Sequence, residues 1–236
     1  MQTNLQNPYK SLTWSHCKDN TENRMKFVVF LLQLLTCTAS IAAAPIDGLY
    51  TSIVGGYVYT PPNLDHAYGA YTLNAPRYQG GFDAGGNFGY KSNPMRYEAE
   101  VTYLKSNIDH FYLDNTEQSK ADGYNQGVFG MANIYFDVPM LNPVLQPYLG
   151  AGIGYGWVQS TLSSTGPTTL TNFNAENSTF AYQGMAGITY NFAENYALSI
   201  GYRYLGTSNL SSFGDMFQAH IAQAGATYRF DEAKYK

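Results

Sequence analysis

"YLGAGIGYGWV", residues 148–158, sets glycine at 150, 152, 154 and 156 between Leu149, Ala151, Ile153, Tyr155 and Trp157. A dinucleotide-binding loop needs a further glycine three residues beyond the second, and from Gly150 or Gly152 that place holds Tyr155 or Trp157. The spacing excludes a phosphate cradle. Strict alternation is instead the period of a β-strand, whose side chains point to opposite faces in turn. One face is apolar and aromatic, and the other is bare.

The same alternation recurs along the chain. In 78–90 the residues Tyr78, Phe82, Ala84, Phe88 and Tyr90 share one parity, and Gln79, Asp83 and Asn87 the other. In 95–103, Met95, Tyr97, Ala99, Val101 and Tyr103 alternate with Arg96, Glu98, Glu100 and Thr102. Segments 48–59, 124–138, 180–192, 195–206 and 216–230 follow the rule, with Arg203 opposite Tyr202 and Tyr204, and Gln223, Thr227 and Arg229 opposite Ala222 to Phe230. With the opening stretch these make eight strands. Short Pro- and Asn-rich connections at 91–94, 139–143 and 193–195 alternate with long polar ones at about 61–77, 106–122, 159–178 and 206–215.

Only 13% of residues are charged, and mean hydropathy is −0.28. Past residue 45 no run approaches the ~18 apolar residues of a membrane helix. The one apolar run, 25–45, has Arg24 and Lys26 before it and small residues closing it, the pattern of a secretory signal peptide. Expected are an upstream extension 1–24 before a start at Met25, a signal peptide 25–42, a barrel domain 43–230 and a tail 231–236. Cleavage after Ala42 removes Cys17 and Cys37, leaving neither disulfide nor thiolate chemistry. The remaining chain has nine Lys/Arg against fifteen Asp/Glu, a net charge of −6, which argues against nucleic acid.

A soluble barrel or sandwich also alternates, so the aromatic residues decide. Tyr90, Tyr97, Tyr190, Tyr196 and Tyr228 fall near the short turns; Tyr59, Tyr103, Tyr155, Trp157, Tyr182 and Tyr204 fall near the long loops. Two belts on the apolar face fit the two interfaces of a membrane. The expectation is an all-β fold, an eight-stranded antiparallel up-and-down transmembrane β-barrel.

Together with "QAGATYRF" at 223–230, this pattern resembles the eight-stranded outer-membrane β-barrels of the OmpA-like and opacity-protein-like superfamily of Gram-negative bacteria. The resemblance implies residence in the bacterial outer membrane after export. It implies outer-membrane lipid and lipopolysaccharide, the barrel assembly machinery, periplasmic chaperones and a host surface ligand as partners, and no cofactor. Gln223, Gly225, Tyr228 and Phe230 match the C-terminal assembly signal of that family, although "DEAKYK" follows where the family's aromatic residue usually ends the chain. Eight strands enclose a lumen that side chains can fill. Asp83, Arg96, Glu98, Glu100, Arg203 and Arg229 are expected on the inner face as a polar network, the three arginines neutralising the three carboxylates. The opening glycines then leave room for Phe129, Met131 and Tyr135 of the preceding strand and for Gln183 and Met185 of the following one.

Catalytic chemistry is thinly represented. His66 and His110 follow Asp65 and Asp109 in long loops, where solvated histidine is the commoner case than a metal site. Lipid A deacylases of similar size carry a His-x-Ser pair on the lipid-facing surface, whereas His220 here is followed by Ala222 in the serine's place. The loops hold Asp65, Asp109, Asp114, Glu117, Asp122, Glu176 and Asp215 against Arg77 and Lys120, a charge excess suited to cation bridging or simply to solvation. The leading expectation is a non-enzymatic barrel for envelope structure and surface-loop interaction or adhesion. The alternative is a narrow channel or hydrophobic-solute conduit, and a lipid-modifying enzyme stands behind both.

Overall fold

The computed structural model describes residues 45–61, 66–68, 71–113, 116–117, 122–140, 144–163, 173–208 and 216–230. The expected extension, signal peptide and tail lie outside them, as do Asp65, Asp114, Lys120 and Asp215. Eleven strands occur among the described residues: β1 Gly48–Tyr59, β2 His66–Tyr68, β3 Tyr71–Tyr78, β4 Gly81–Ser92, β5 Met95–Leu113, β6 Thr116–Glu117, β7 Asp122–Asp137, β8 Leu145–Ser163, β9 Phe173–Asn191, β10 Tyr196–Thr207 and β11 Gln218–Arg229. Eight of them, β1, β4, β5, β7, β8, β9, β10 and β11, pair antiparallel in sequence order. Pairing of β11 with β1, from Tyr50 opposite Arg229 to Tyr59 opposite His220, closes the ring. Over the height that these eight strands share, closure leaves no unpaired edge among the described residues, which is what allows a sheet to cross a membrane.

The alternation sorts side chains as lipid requires. Ile53 is 71% exposed and Ile200 66%, while Ser52 and Arg203, of the opposite parity on the same strands, are buried inside. Around the turn end of the outer wall Tyr190, Phe192, Tyr196, Tyr228 and Phe230 form a chain of ring contacts with centroids 5.2 to 6.2 Å apart. Near the loop end Phe82 meets Tyr103, and Tyr182 meets Tyr204. The two aromatic belts read from the sequence are both present.

The wall is not of one height. β1, β4, β10 and β11 each have 12 residues, whereas β5, β8 and β9 have 19 and β7 has 16. The stretches 106–113, 159–163 and 173–178, expected to be loop, are strand, and β2, β3 and β6 add to the same side. Strand β4 begins at Gly81, and Tyr78 belongs instead to β3, opposite Ile108. Alternation fades there because outward polar residues such as Gln126, Gln159 and Asn174 interrupt the apolar face of the tall wall. On its outer face Tyr103 donates to Gln126 (3.0 Å), Gln126 to Gln159 (2.7 Å) and Gln159 to Asn174 (3.1 Å), a ladder across β5, β7, β8 and β9. Outward amides of this kind belong above the hydrocarbon.

Candidate functional site

Among the described residues the lumen gathers a cluster of charged side chains, and it has two layers. Toward the loop end lies an apolar plug of Val58, Leu104, Phe129, Met131, Val158, Ala181, Leu205, Phe217, Ala219 and Ile221. Phe129 stacks on Phe217 with centroids 6.3 Å apart, so a ring from β7 meets the ring of the residue just before β11. Toward the turn end the inward positions are ionic.

At mid-height Arg203 on β10 donates from Nη1 to Glu100 Oε1 on β5 at 2.6 Å and from Nη2 to Gln223 on β11 at 3.0 Å. Gln223 in turn donates to Asp83 Oδ2 at 3.0 Å, so the amide bridges the arginine to the second carboxylate. Glu100 also accepts from Thr102 at 2.5 Å and from Asn133 at 2.8 Å, and Gln183 donates to Asn133 at 2.7 Å. Six of the eight barrel strands contribute to this one web: β4, β5, β7, β9, β10 and β11. Both side chains of the Arg203–Glu100 pair are almost wholly buried. A charge in that position must be compensated by direct bonds, because solvent cannot do it.

Below it, Arg96 donates from Nε to Asp137 at 2.9 Å and approaches Glu98 at 3.4 Å. Lys91 makes a short ion pair with the same Asp137. Tyr50 donates its hydroxyl to Glu98 at 2.6 Å, and the Arg96 guanidinium lies 4.6 Å from the Tyr135 ring centroid and 5.2 Å from that of Tyr148. Arg229 differs from the sequence expectation. It donates to Asn191 Oδ1 at 2.6 Å and to the Glu194 carbonyl at 3.4 Å, and it meets no carboxylate among the described residues. Asp83 likewise is held by Gln223 and not by an arginine, since Arg203 is committed to Glu100.

Lys91 and Asp137 were missed as site residues, although strand parity reaches both. Lys91 continues the inward series Asp83, Gly85, Asn87 and Gly89, and Asp137 continues Phe129, Met131, Asn133 and Tyr135. With them the described interior holds four cations, Lys91, Arg96, Arg203 and Arg229, and four carboxylates, Asp83, Glu98, Glu100 and Asp137. A cavity of about 10 Å³ lined by Tyr50, Lys91, Arg96, Asp137, Gln146, Thr189, Thr227 and Arg229 has room for about one water.

The glycines of β8 complete the packing. Gly150, Gly152, Gly154 and Gly156 stand opposite Tyr135, Asn133, Met131 and Phe129 of β7. A Cβ on any of the four would collide with the residue it faces. Of the C-terminal motif, Gln223 and Gly225 share the inward parity, and Tyr228 and Phe230 the outward one, with their rings 5.2 Å apart. Among the described residues no group of three or more His, Cys, Asp or Glu could hold a metal ion. The side chains of His66 and His110 lie outside the description.

Residues 29–230 match the family model described as outer membrane protein beta-barrel domain. An outer membrane protein of Gluconacetobacter diazotrophicus is 27% identical over 197 residues, which cover 72% of this chain and 50% of that one. Opacity protein opA67 of Neisseria gonorrhoeae is 28% identical over 185 residues, 66% of this chain and 77% of that one. Among solved structures, Neisserial surface protein A superposes with a TM-score of 0.53 at 18% identity over 78% of this chain and 97% of that chain, a likeness of fold. The chain spans about half the length of several curated relatives it matches, 50% of the Gluconacetobacter protein and 55% of a Brucella abortus homologue.

Proposed function

The chain belongs to the family of outer membrane proteins with a β-barrel domain, and from that premise we propose that it is a closed, non-enzymatic barrel that contributes to envelope structure and presents its loops for surface interaction or adhesion. The observation that carries this reading is the pair of lumen layers with opposite chemistry. An ion entering from the turn end meets the apolar plug around Phe129, Leu205 and Ile221, where nothing replaces its hydration shell. An apolar solute passing the plug would have to break the web around Arg203 and Glu100. The two layers together argue against the conduit reading.

The interior set Asp83, Arg96, Glu98, Glu100, Arg203 and Arg229 then serves as a lock that ties strands together. Gln223, Gly225, Tyr228 and Phe230 serve as the signal to the assembly machinery, supported by the place of Tyr228 and Phe230 on the outer face of the closing strand pair. Planar-bilayer recording tests closure: a silent membrane at saturating insertion is expected, and discrete reproducible openings would overturn it. A deletion strain should lose envelope resistance or host-cell attachment, and wild-type behaviour in both assays would remove the proposed role.

A further inference from the structure

We propose that His220, with Tyr59, Tyr202 and Tyr204, forms a docking point on the lipid-facing wall for the phosphate of an outer-leaflet glycolipid. His220 has the outward parity on β11, and its cross-strand neighbours are Tyr204 of β10 on one side and Tyr59 of β1 on the other. Its ring centroid lies 5.4 Å from that of Tyr204, 6.0 Å from Tyr202 and 6.1 Å from Tyr59. This row is the last pairing of β1 before the chain leaves for a long connection, hence the extracellular margin of the apolar band. No other outward side chain described on β1, β4, β10 or β11 is a histidine or carries a charge.

Two donors in the row lack a protein acceptor among the described residues. Nδ1 of His220 is engaged by the Tyr202 hydroxyl at 2.5 Å. Where Tyr202 donates to Nδ1 the ring hydrogen sits on Nε2, and a protonated ring carries one there as well. The Tyr59 hydroxyl on the neighbouring strand is the second donor. The tall wall offers a contrast, since its outward amides satisfy one another in the ladder from Tyr103 to Asn174. Acyl chains supply no acceptor, while a phosphate offers several oxygens and accepts best from paired donors. Tyrosine and histidine rings around the point provide an amphipathic rim suited to the headgroup level.

The test uses the folded chain in phosphatidylcholine nanodiscs containing bis-phosphorylated lipid A or the same lipid after phosphatase treatment. Native mass spectrometry reads lipid retention, and nitrogen-15 imidazole NMR reads Nε2. The wild type should retain the phosphorylated lipid, with a shift of the Nε2 resonance, and should release the dephosphorylated one. His220→Phe should lower retention by about tenfold, the loss of one hydrogen bond to a charged partner. Tyr202→Phe, which unseats the ring, should lower it less. Equal retention of both lipids by the wild type would reduce the site to acyl-chain contact. Undiminished retention by His220→Phe, or an Nε2 shift already complete in discs of phosphatidylcholine alone, would overturn the glycolipid assignment. Should His220→Phe fail to give the heat-modifiable folded band, the wild-type NMR comparison still decides.

Discussion

The two halves of the lumen solve the same filling problem by different physics. In the half nearer the turns, direction matters: Glu100 accepts from Arg203, Thr102 and Asn133 at once, and moving any donor leaves a buried charge short of a partner. In the apolar plug nearer the loops shape matters more, and the side chains of Phe129, Leu205, Phe217 and Ile221 exclude water without hydrogen bonds of their own. Ionic packing fixes which strands stand across from one another, whereas apolar packing supplies cohesion that a neighbouring methyl group could replace. Specificity and cohesion are thus separated along the barrel axis.

Overpacking should break the comparison most severely. Gly152→Leu together with Gly154→Leu forces side chains into the space of Asn133 and Met131 at the level where the halves meet, and no heat-modifiable folded band is expected on a gel. Arg203→Ala comes next, with a loss of about 3–5 kcal/mol in urea unfolding in detergent, because Glu100 is left buried and unpaired. Replacing both partners, Arg203→Met with Glu100→Leu, should recover most of that loss; a double variant as weak as the single one would show that the web does more than neutralise charge. Leu205→Ala in the plug should cost about 2–5 kcal/mol through its cavity, with the bilayer still silent because the ionic layer remains closed. Tyr50→Phe should cost about 1–3 kcal/mol by stripping one donor from Glu98, and a cost near zero would mean that Arg96 alone satisfies that carboxylate.

Strand parity made most of this visible in the sequence. The alternation in 95–103 put Arg96, Glu98 and Glu100 on the inner face, and the glycines of 148–158 implied bulky residues across from them. Pairing was not legible, because parity tells which face a residue takes but not its height in the barrel. That height follows from interstrand register, which no single strand encodes. Arg229 illustrates the gap: it has the inner parity, yet it sits at the turn end beside Asn191, well below Asp83. Lys91 and Asp137 were hidden for another reason, since each adjoins a Pro- and Asn-rich turn that masks the last step of alternation. The tall wall escaped notice because its outward positions turn polar, as at Gln126, Gln159 and Asn174, and the apolar period is lost.

The glycine column of β8 bears on how this sequence can change over time. Tyr135, Asn133, Met131 and Phe129 are cast against Gly150, Gly152, Gly154 and Gly156 like type against a mould. A substitution on either strand alone is penalised, and only a paired exchange, a glycine gaining a side chain as its opposite number loses one, keeps the volume constant. Drift in these two strands is therefore expected to move in couples, and chimaeras that cut between them at residues 138–144 should inherit mismatched halves.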